Sequence, residues 1–282
     1  MKLAMVGPVG QEFPAVLDSE GRLRNLSLVL GRVDQVLADA GALERIEREL
    51  SDGSLPAVEG APWFGAPLRP GKILCIGLNY RDHAAETGAS IPDEPILFLK
   101  APDTVVGPND DVLIPRDSEK TDWEVELAVV IGREARHLSE DDDPLAYVAG
   151  YTISNDVSER AFQKERGGQW DKGKNAETFN PMGPYFVTAD EVPDPQRLKL
   201  TADVNGRRRQ DGTTADMIFG VAELVRYLSW FLVLRPGDII NTGTPAGVAL
   251  GQPDPKPFLR PGDVMELSVE GLGTQRSTLR QG

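Results

Sequence analysis

Residues Thr121-Asp122-Trp123-Glu124-Val125-Glu126-Leu127-Ala128-Val129-Val130-Ile131-Gly132 read as one strand with two carboxylates at its head. A strand sends residues i and i+2 to the same face, so Glu124 and Glu126 point one way while Trp123, Val125 and Leu127 point the other. From Leu127 onward the run is apolar on both faces, the pattern of a strand deep inside a sheet. Carboxylates side by side in such a place are costly unless a positive charge sits between them. A hard divalent cation would supply that charge, whereas an edge strand with both carboxylates in water would need none. The spacing alone fits either arrangement.

A third acid suits the same site. Tyr147-Val148-Ala149-Gly150-Tyr151-Thr152-Ile153-Ser154-Asn155-Asp156 is a β-branched and aromatic stretch that ends on Asp156, as a strand delivering a carboxylate would. Three oxygen ligands with no His-Cys cluster nearby favour Mg²⁺ or Mn²⁺, Ca²⁺ less so and Zn²⁺ least.

The 282 residues suffice for one large domain and a small one. Lys and Arg number 30 against 44 Asp and Glu, a net charge of -14, and no basic block interrupts the acidic surface. Nucleic acid and anionic membrane are therefore poor partners. No run is long enough to span a bilayer, and a Gly7-Pro8 break precedes any signal-length apolar stretch, so the expected location is the cytoplasm. Cys75, alone among apolar neighbours, reads as a core thiol.

Residues 1–60 carry two short apolar runs around the turn Asp18-Ser19-Glu20-Gly21 and then a helical pattern from Val33 to Leu50, the makings of a small N-terminal α/β domain. Pro62, Pro67, Pro70 and Gly71 mark 61–71 as a linker. From 72 to 282 most apolar runs are short and β-branched: Lys72–Leu78, Pro95–Leu99, Val112–Ile114, Trp123–Ile131, Ala146–Ser154, Tyr185–Val187, Leu198–Val204, Asp238–Thr242 and Val264–Val269. Helical patterns interrupt them only after Asp156 and from about Asp216 to Leu232, so the class is α+β and β-rich.

His83 lies just after the first of these strands with Glu86 three residues on, a spacing that on a helix lets a carboxylate orient an imidazole. That is how a general base is built, and it is also what an incidental surface pair looks like. Arg160 and Gln163 share a helical face beyond Asp156, where they could hold an anionic, oxygen-rich substrate or merely meet solvent. Asn241-Thr242-Gly243-Thr244-Pro245 is a small-residue turn after a strand, able to bind a carboxylate or simply to turn. His137 sits by the acidic loop Glu140-Asp141-Asp142-Asp143 without a partner in its pattern. The chain has no P-loop, no G-x-G-x-x-G unit, no G-x-S-x-G elbow and no Cys/His metal spacing.

Several of these pieces carry a resemblance when taken in order. Gly77-Leu78-Asn79-Tyr80 with His83 and Glu86, Phe98-Leu99-Lys100, Asp122-Trp123-Glu124-Val125-Glu126-Leu127, Gly150-Tyr151 through Asp156, Ser158-Glu159-Arg160 with Phe162-Gln163, Lys174 and Thr242-Gly243-Thr244-Pro245 follow the order of the fumarylacetoacetate hydrolase family. The chain resembles that family from about Lys72 to about Gly271. The resemblance implies a mixed β-roll catalytic domain, a homodimer, and Mg²⁺ or Mn²⁺ held by Glu124, Glu126 and Asp156. It further implies a water-activating His83/Glu86 dyad on a mobile lid and catalytic roles for Lys174 and Gln163. Arg160, Thr244, Lys100 and Tyr80 would meet the substrate. Two departures, Ala249 where the family usually ends a Gly-Val-Gly and Asn175 where a small residue is usual, are expected beside substrate contacts.

The branch it looks most like includes 2,4-diketo-3-deoxy sugar-acid hydrolases and relatives labelled ureidoglycolate lyase. The activity implied is carbon-carbon bond hydrolysis in a 2,4-dioxo acid, releasing pyruvate. Oxaloacetate decarboxylation or ureidoglycolate cleavage on the same metal, and a non-catalytic metal-binding role, are the alternatives.

Overall fold

Val125–Ile131 is the strand around which the chain is built. Trp123, Val125, Leu127, Val129 and Ile131 enter one hydrophobic core, while Ala128 and Val130 enter another on the opposite face. The structure, a computed structural model, describes residues 1–39 and 41–282. Val125–Ile131 pairs antiparallel with Val148–Asn155 on one side and Ile239–Asn241 on the other. The sheet continues through Ile73–Gly77, parallel to Ile239–Asn241, to the edge strand Ile96–Lys100. In the other direction it runs through Phe186–Thr188 to the N-terminal strands Lys2–Val6, Phe13–Leu17 and Leu23–Asn25, with Phe64–Gly65 pairing beside Lys2–Val6.

A second, five-stranded sheet is ordered Arg207–Thr213, Lys199–Val204, Val264–Val269, Gly273–Gln281, Val112–Ile114. Its inward residues Leu200, Ala202, Met265, Leu267 and Leu279 meet Trp123, Val125 and Leu127, and the helix Val221–Phe231 joins this core with Leu224, Val225 and Leu228. The opposite face of the large sheet is covered by Leu26, Leu30, Val33 and Ile46. The fold is α+β and β-rich, with parallel and antiparallel pairs mixed in both sheets.

Local chemistry moves several expected boundaries. The helical pattern over Val33–Leu50 resolves into a 3-10 turn, Val33–Leu37, and a helix, Ala42–Ser51; Ala40 between them lies outside the described residues. The helix expected from Asp216 begins later, at Val221, whose N–H donates to Gln196 Oε1 after the Gly220 cap. Asn205-Gly206 makes the expected hairpin turn, both residues at positive φ, but its return strand Arg207–Thr213 was not anticipated, and neither was Gly273–Gln281. Both are polar on their outer face and give only a weak apolar alternation.

The two sheets are bolted together by buried glutamine. Gln210 Oε1 accepts from Val125 N at 3.0 Å, and its Nε2 donates to Thr244 Oγ1 and Pro245 O, both at 2.7 Å. Leucine at this position would leave the Val125 N–H and the Pro245 carbonyl buried and unpaired. At about 1–3 kcal/mol for each of the two groups, Gln210→Leu is predicted to lower the unfolding free energy by roughly 2–6 kcal/mol in urea denaturation. An unchanged midpoint would show that the bridge contributes nothing.

Candidate functional site

The strand ladder itself assembles the acids. Val125 lies opposite Asn155 and Glu126 opposite Ser154, and the same register, continued across an interruption, puts Asp122 opposite Ser158. Glu124 therefore faces Asp156, whose N–H donates to the Glu124 carbonyl at 3.0 Å. Residues spaced by two share a face, so Asp122, Glu124, Glu126 and Asp156 converge, each 5 % exposed or less. One ligand oxygen from each of Glu124, Glu126 and Asp156 lies within 4.8 Å of the others.

Three cations answer this charge. Lys174 Nζ donates to Glu124 Oε2 and Asp156 Oδ2, both at 2.7 Å. Arg160 donates from Nη2 to Glu124 Oε1 at 2.6 Å, from Nε to Asp122 Oδ2 at 2.9 Å and from Nη1 to Gln163 Oε1 at 3.0 Å. Lys100 Nζ reaches Asp156 Oδ1 at 2.5 Å. Burial pushes the Glu124 carboxyl up, but Lys174 and Arg160 outweigh it and bring the group to about 2. Glu126 goes the other way: burial, then the charges of Asp156 and Glu124, push it well above the usual carboxylate range. Its Oε2 accepts only the Gly243 N–H, at 2.8 Å. Against burial, Asp156 and Glu124 hold the Lys174 ammonium above its ordinary value.

Lys174 depends on a close helix contact. A Cβ on Gly173 would lie 2.5 Å from Glu159 O and 2.6 Å from Gln163 N, so only glycine lets the helix Asp171–Lys174 pack against Arg160–Lys164. Trp170 likewise lies over Gly77, where a Cβ would come within 2.2 Å of its ring, and stacks edge-on to Phe98 at 5.7 Å.

His83 stands on the helix Arg81–Thr87, which ends on Gly88 in the left-handed conformation. Its Nδ1 lies 2.8 Å from Glu86 Oε1, and Glu86 Oε2 accepts the Gly247 N–H at 2.9 Å. Asp82 Oδ2 accepts from Ala246 N at 3.2 Å, so two carboxylates fasten this helix to the 246–251 loop. That loop is tied in turn to the acid cluster, since Asp122 accepts from Ala249 N at 2.7 Å and Leu250 N at 3.0 Å. Glycine is required where the loop meets its neighbours: Gly247 has φ +112 and a Cβ there would lie 1.9 Å from Arg209 O.

These groups enclose a cavity of about 120 Å³ lined by His83, Glu124, Glu126, Arg160, Gln163, Lys174 and Thr244, with Ile76, Leu78, Phe98, Trp170 and Leu250 as its apolar wall. Two expected substrate contacts are placed elsewhere. Lys100 lies behind Asp156, giving its protons to Asp156, Val157 O and Phe179 O, and so positions a carboxylate instead of meeting the cavity. Tyr80 is fully buried in the core, where burial, then Glu126 and Asp82, push its hydroxyl well above its usual value. Thr244 lines the cavity, but its hydroxyl proton goes to Val125 O at 2.9 Å. Asn175 serves the sheet edge instead of the cavity: its Nδ2 donates to Leu99 O at 3.1 Å and its Oδ1 accepts from Ala101 N. Asp122 is the residue the sequence reading quoted without a role, although its place two before Glu124 puts it on the same face.

A divalent cation fits this donor set. Four carboxylates face three cations, and burial, then the charges of Asp156 and Glu124, push up Glu126, which among the described residues has no lysine or arginine ion-pair partner. Oxygen donors from carboxylates alone suit Mg²⁺ or Mn²⁺.

Comparison with known proteins agrees with this geometry. The family described as Fumarylacetoacetate (FAA) hydrolase C-terminal matches residues 72–280. The chain belongs to the fumarylacetoacetate hydrolase family. A Burkholderia orbicola (strain MC0-3) protein provisionally named a hydrolase is 52% identical over 282 residues, 99% of each chain. The crystal structure of 2-hydroxyhepta-2,4-diene-1,7-dioate isomerase from Mycobacterium marinum is similar with TM-score 0.73 and 30% identity, covering 100% of this chain and 98% of that one. Maleylpyruvate hydrolase from Sphingobium sp. SYK-6, solved with manganese(II) and pyruvate, is similar with TM-score 0.83 and 26% identity over 100% of both chains. Solved structures that share the fold thus include both a hydrolase and an isomerase. No helix among the described residues is long and apolar enough to cross a membrane.

Removing Glu126 should abolish tight metal binding, because a hard cation loses one of three anionic ligands. Glu126→Ala is expected to bind Mn²⁺ at least about a hundredfold more weakly by calorimetry, an estimate in the range for lost ligands. Full occupancy in the Glu124→Ala/Glu126→Ala double variant would place the ion elsewhere.

Proposed function

We propose that this protein hydrolyses a carbon-carbon bond in a 2,4-dioxo acid, of the acylpyruvate or 2,4-diketo-3-deoxy sugar-acid type, releasing pyruvate and a second carboxylic acid. The observation that carries the reading is the His83–Glu86 contact at 2.8 Å on the wall of a cavity that Glu124 and Glu126 also line, with Asp156 clustered beside them. A divalent cation bound by Glu124, Glu126 and Asp156 would supply Lewis-acid polarisation of the substrate's oxygens. Everything else falls to side chains. Glu86 accepts the Nδ1 proton and leaves Nε2 free to take a proton from water. The hydroxide so formed adds to the 4-carbonyl, the C3–C4 bond breaks, and C4 leaves as the carboxylic acid. The electron pair of that bond remains on the pyruvate fragment as its enolate, which takes a proton at C3. Lys174, held positive by Asp156 and Glu124, and Arg160 offer the cationic surroundings in which that negative charge develops.

Decarboxylation of oxaloacetate or cleavage of ureidoglycolate could use the triad and Lys174 without a base that activates water. The oriented imidazole favours hydrolysis over both, and over a purely metal-binding role. His83→Ala is expected to lose about 10²-fold or more in dioxo-acid cleavage, the usual worth of a positioned base, while keeping much of any oxaloacetate decarboxylation. Glu86→Gln should act in the same direction more mildly. Intact cleavage in His83→Ala would remove the dyad from the mechanism.

We also propose a cytoplasmic homodimer. Trp230 and Phe231, 57% and 64% exposed at the end of their helix, give a second copy an apolar patch to cover. Light scattering in dilute solution should then return about twice the 30.7 kDa chain mass, and a monomer with full turnover would refute the assignment.

A further inference from the structure

The helix Arg160–Lys164 brings three side chains to one face at i, i+3 and i+4: Arg160, Gln163 and Lys164, all of which line the cavity. The first two are already engaged with the acid cluster. Lys164 is not. Among the described residues the charged groups acting on it are Arg160 and Lys256, both positive. The acid next to it in sequence, Glu165, is bound to Lys120. Lys256 sits nearby with its ammonium on two carbonyls, Leu250 O at 2.6 Å and Gln252 O at 2.8 Å, and no carboxylate among the described residues. The other cations of the cavity wall are matched: Lys174 by Glu124 and Asp156, Arg160 by Glu124 and Asp122.

What sets Lys164 apart is its place: among the cations lining the cavity it has no carboxylate partner among the described residues, so its ammonium is available to an anion that enters from solution. Partial burial, then Arg160 and Lys256, lower the Lys164 ammonium from its ordinary value, and a bound anion would offset both. Glu124, Glu126, Lys174 and Thr244 line the cavity as well. Lys164, exposed, stands at its rim.

We propose that Lys164 is a specificity-determining residue that receives a carboxylate at the end of the substrate remote from the triad, so that the preferred 2-oxo acids are dicarboxylates. This rests on the reading that the cavity takes a 2-oxo acid at the triad, and it narrows that reading from acyl chains in general to those with a second negative end. Lys256 adds to the attracting field without contacting the ligand.

Binding separates this inference from the hydrolase reading. Titration of the Mn²⁺-loaded protein with 2-oxoadipate and with 2-oxohexanoate, which differ only in the terminal carboxylate, should show the diacid bound roughly tenfold more tightly, as one partly desolvated ion pair provides. Raised ionic strength should narrow the gap. Lys164→Met should bring the two ligands within about twofold, and Lys164→Glu should invert the order, since a like charge then faces the diacid. Equal affinities in the wild type, or a preference that survives Lys164→Met, overturns the proposal. If no 2,4-dioxo acid is cleaved while the binding preference follows residue 164, the hydrolase reading fails and the rim assignment stands.

Discussion

Like charges facing one another across a buried strand ladder are the constraint to which the rest of this structure answers. The antiparallel register that pairs Val125 with Asn155 leaves no freedom in where Asp122, Glu124, Glu126 and Asp156 go. Once they share a face, the surrounding chain must deliver positive charge or donors to each. Lys100 comes from the edge strand, Lys174 from a helix that packs through Gly173, Arg160 from the helix that follows the ladder, and the Gly243 amide from the turn after Ile239–Asn241. Four separate segments are thus fixed by one electrostatic demand. Breaking any single pair would leave an uncompensated buried charge, which costs far more than a surface ion pair is worth.

The same demand links the His83 helix to the acid cluster. Asp122 accepts from Arg160 on one side and from the amides of Ala249 and Leu250 on the other, while Glu86 and Asp82 accept from Gly247 and Ala246. The 246–251 loop is therefore held at both ends by carboxylates. One set orients the imidazole and the other orients the guanidinium, so the His83 pair and the acid cluster share a frame. Such sharing explains how a helix of seven residues, too short to be stable alone, holds His83 in place.

Much of this was legible in the sequence because strand periodicity is strict. Two acids at i and i+2 ahead of an apolar run, and a β-branched run ending on a third, brought the triad together as candidates, and the ordered motifs of the family resemblance chose the metal site over a solvated edge. The Arg160 and Gln163 face and the His83 and Glu86 pair were visible in helical spacing, but there too the resemblance, not the spacing, separated a site from a solvated surface. What could not be read was partnership across the chain. Lys100 is a lysine in a strand until Phe179 and Val157 carbonyls are seen around its ammonium, and Asn175 is an anomaly until Leu99 lies beside it. The strands Arg207–Thr213 and Gly273–Gln281 escaped for a related reason: their inward residues include Gln210 and Gln275, glutamines that hydrogen-bond across the core where pattern reading looks for apolar side chains.

Asn175 has a wider meaning. Ile96–Lys100 is the last strand of the large sheet, and an open strand edge is an invitation for another chain to add itself. Here Leu99 N donates to Asp171 Oδ1, and Asn175 takes both Leu99 O and Ala101 N, so side chains do what a further strand would do. The segment Asp171–Lys174 that carries an ammonium to the acids is thereby also the guard of the edge. Guarding the edge and placing the ammonium therefore fall to one short stretch, so a substitution there would disturb both at once.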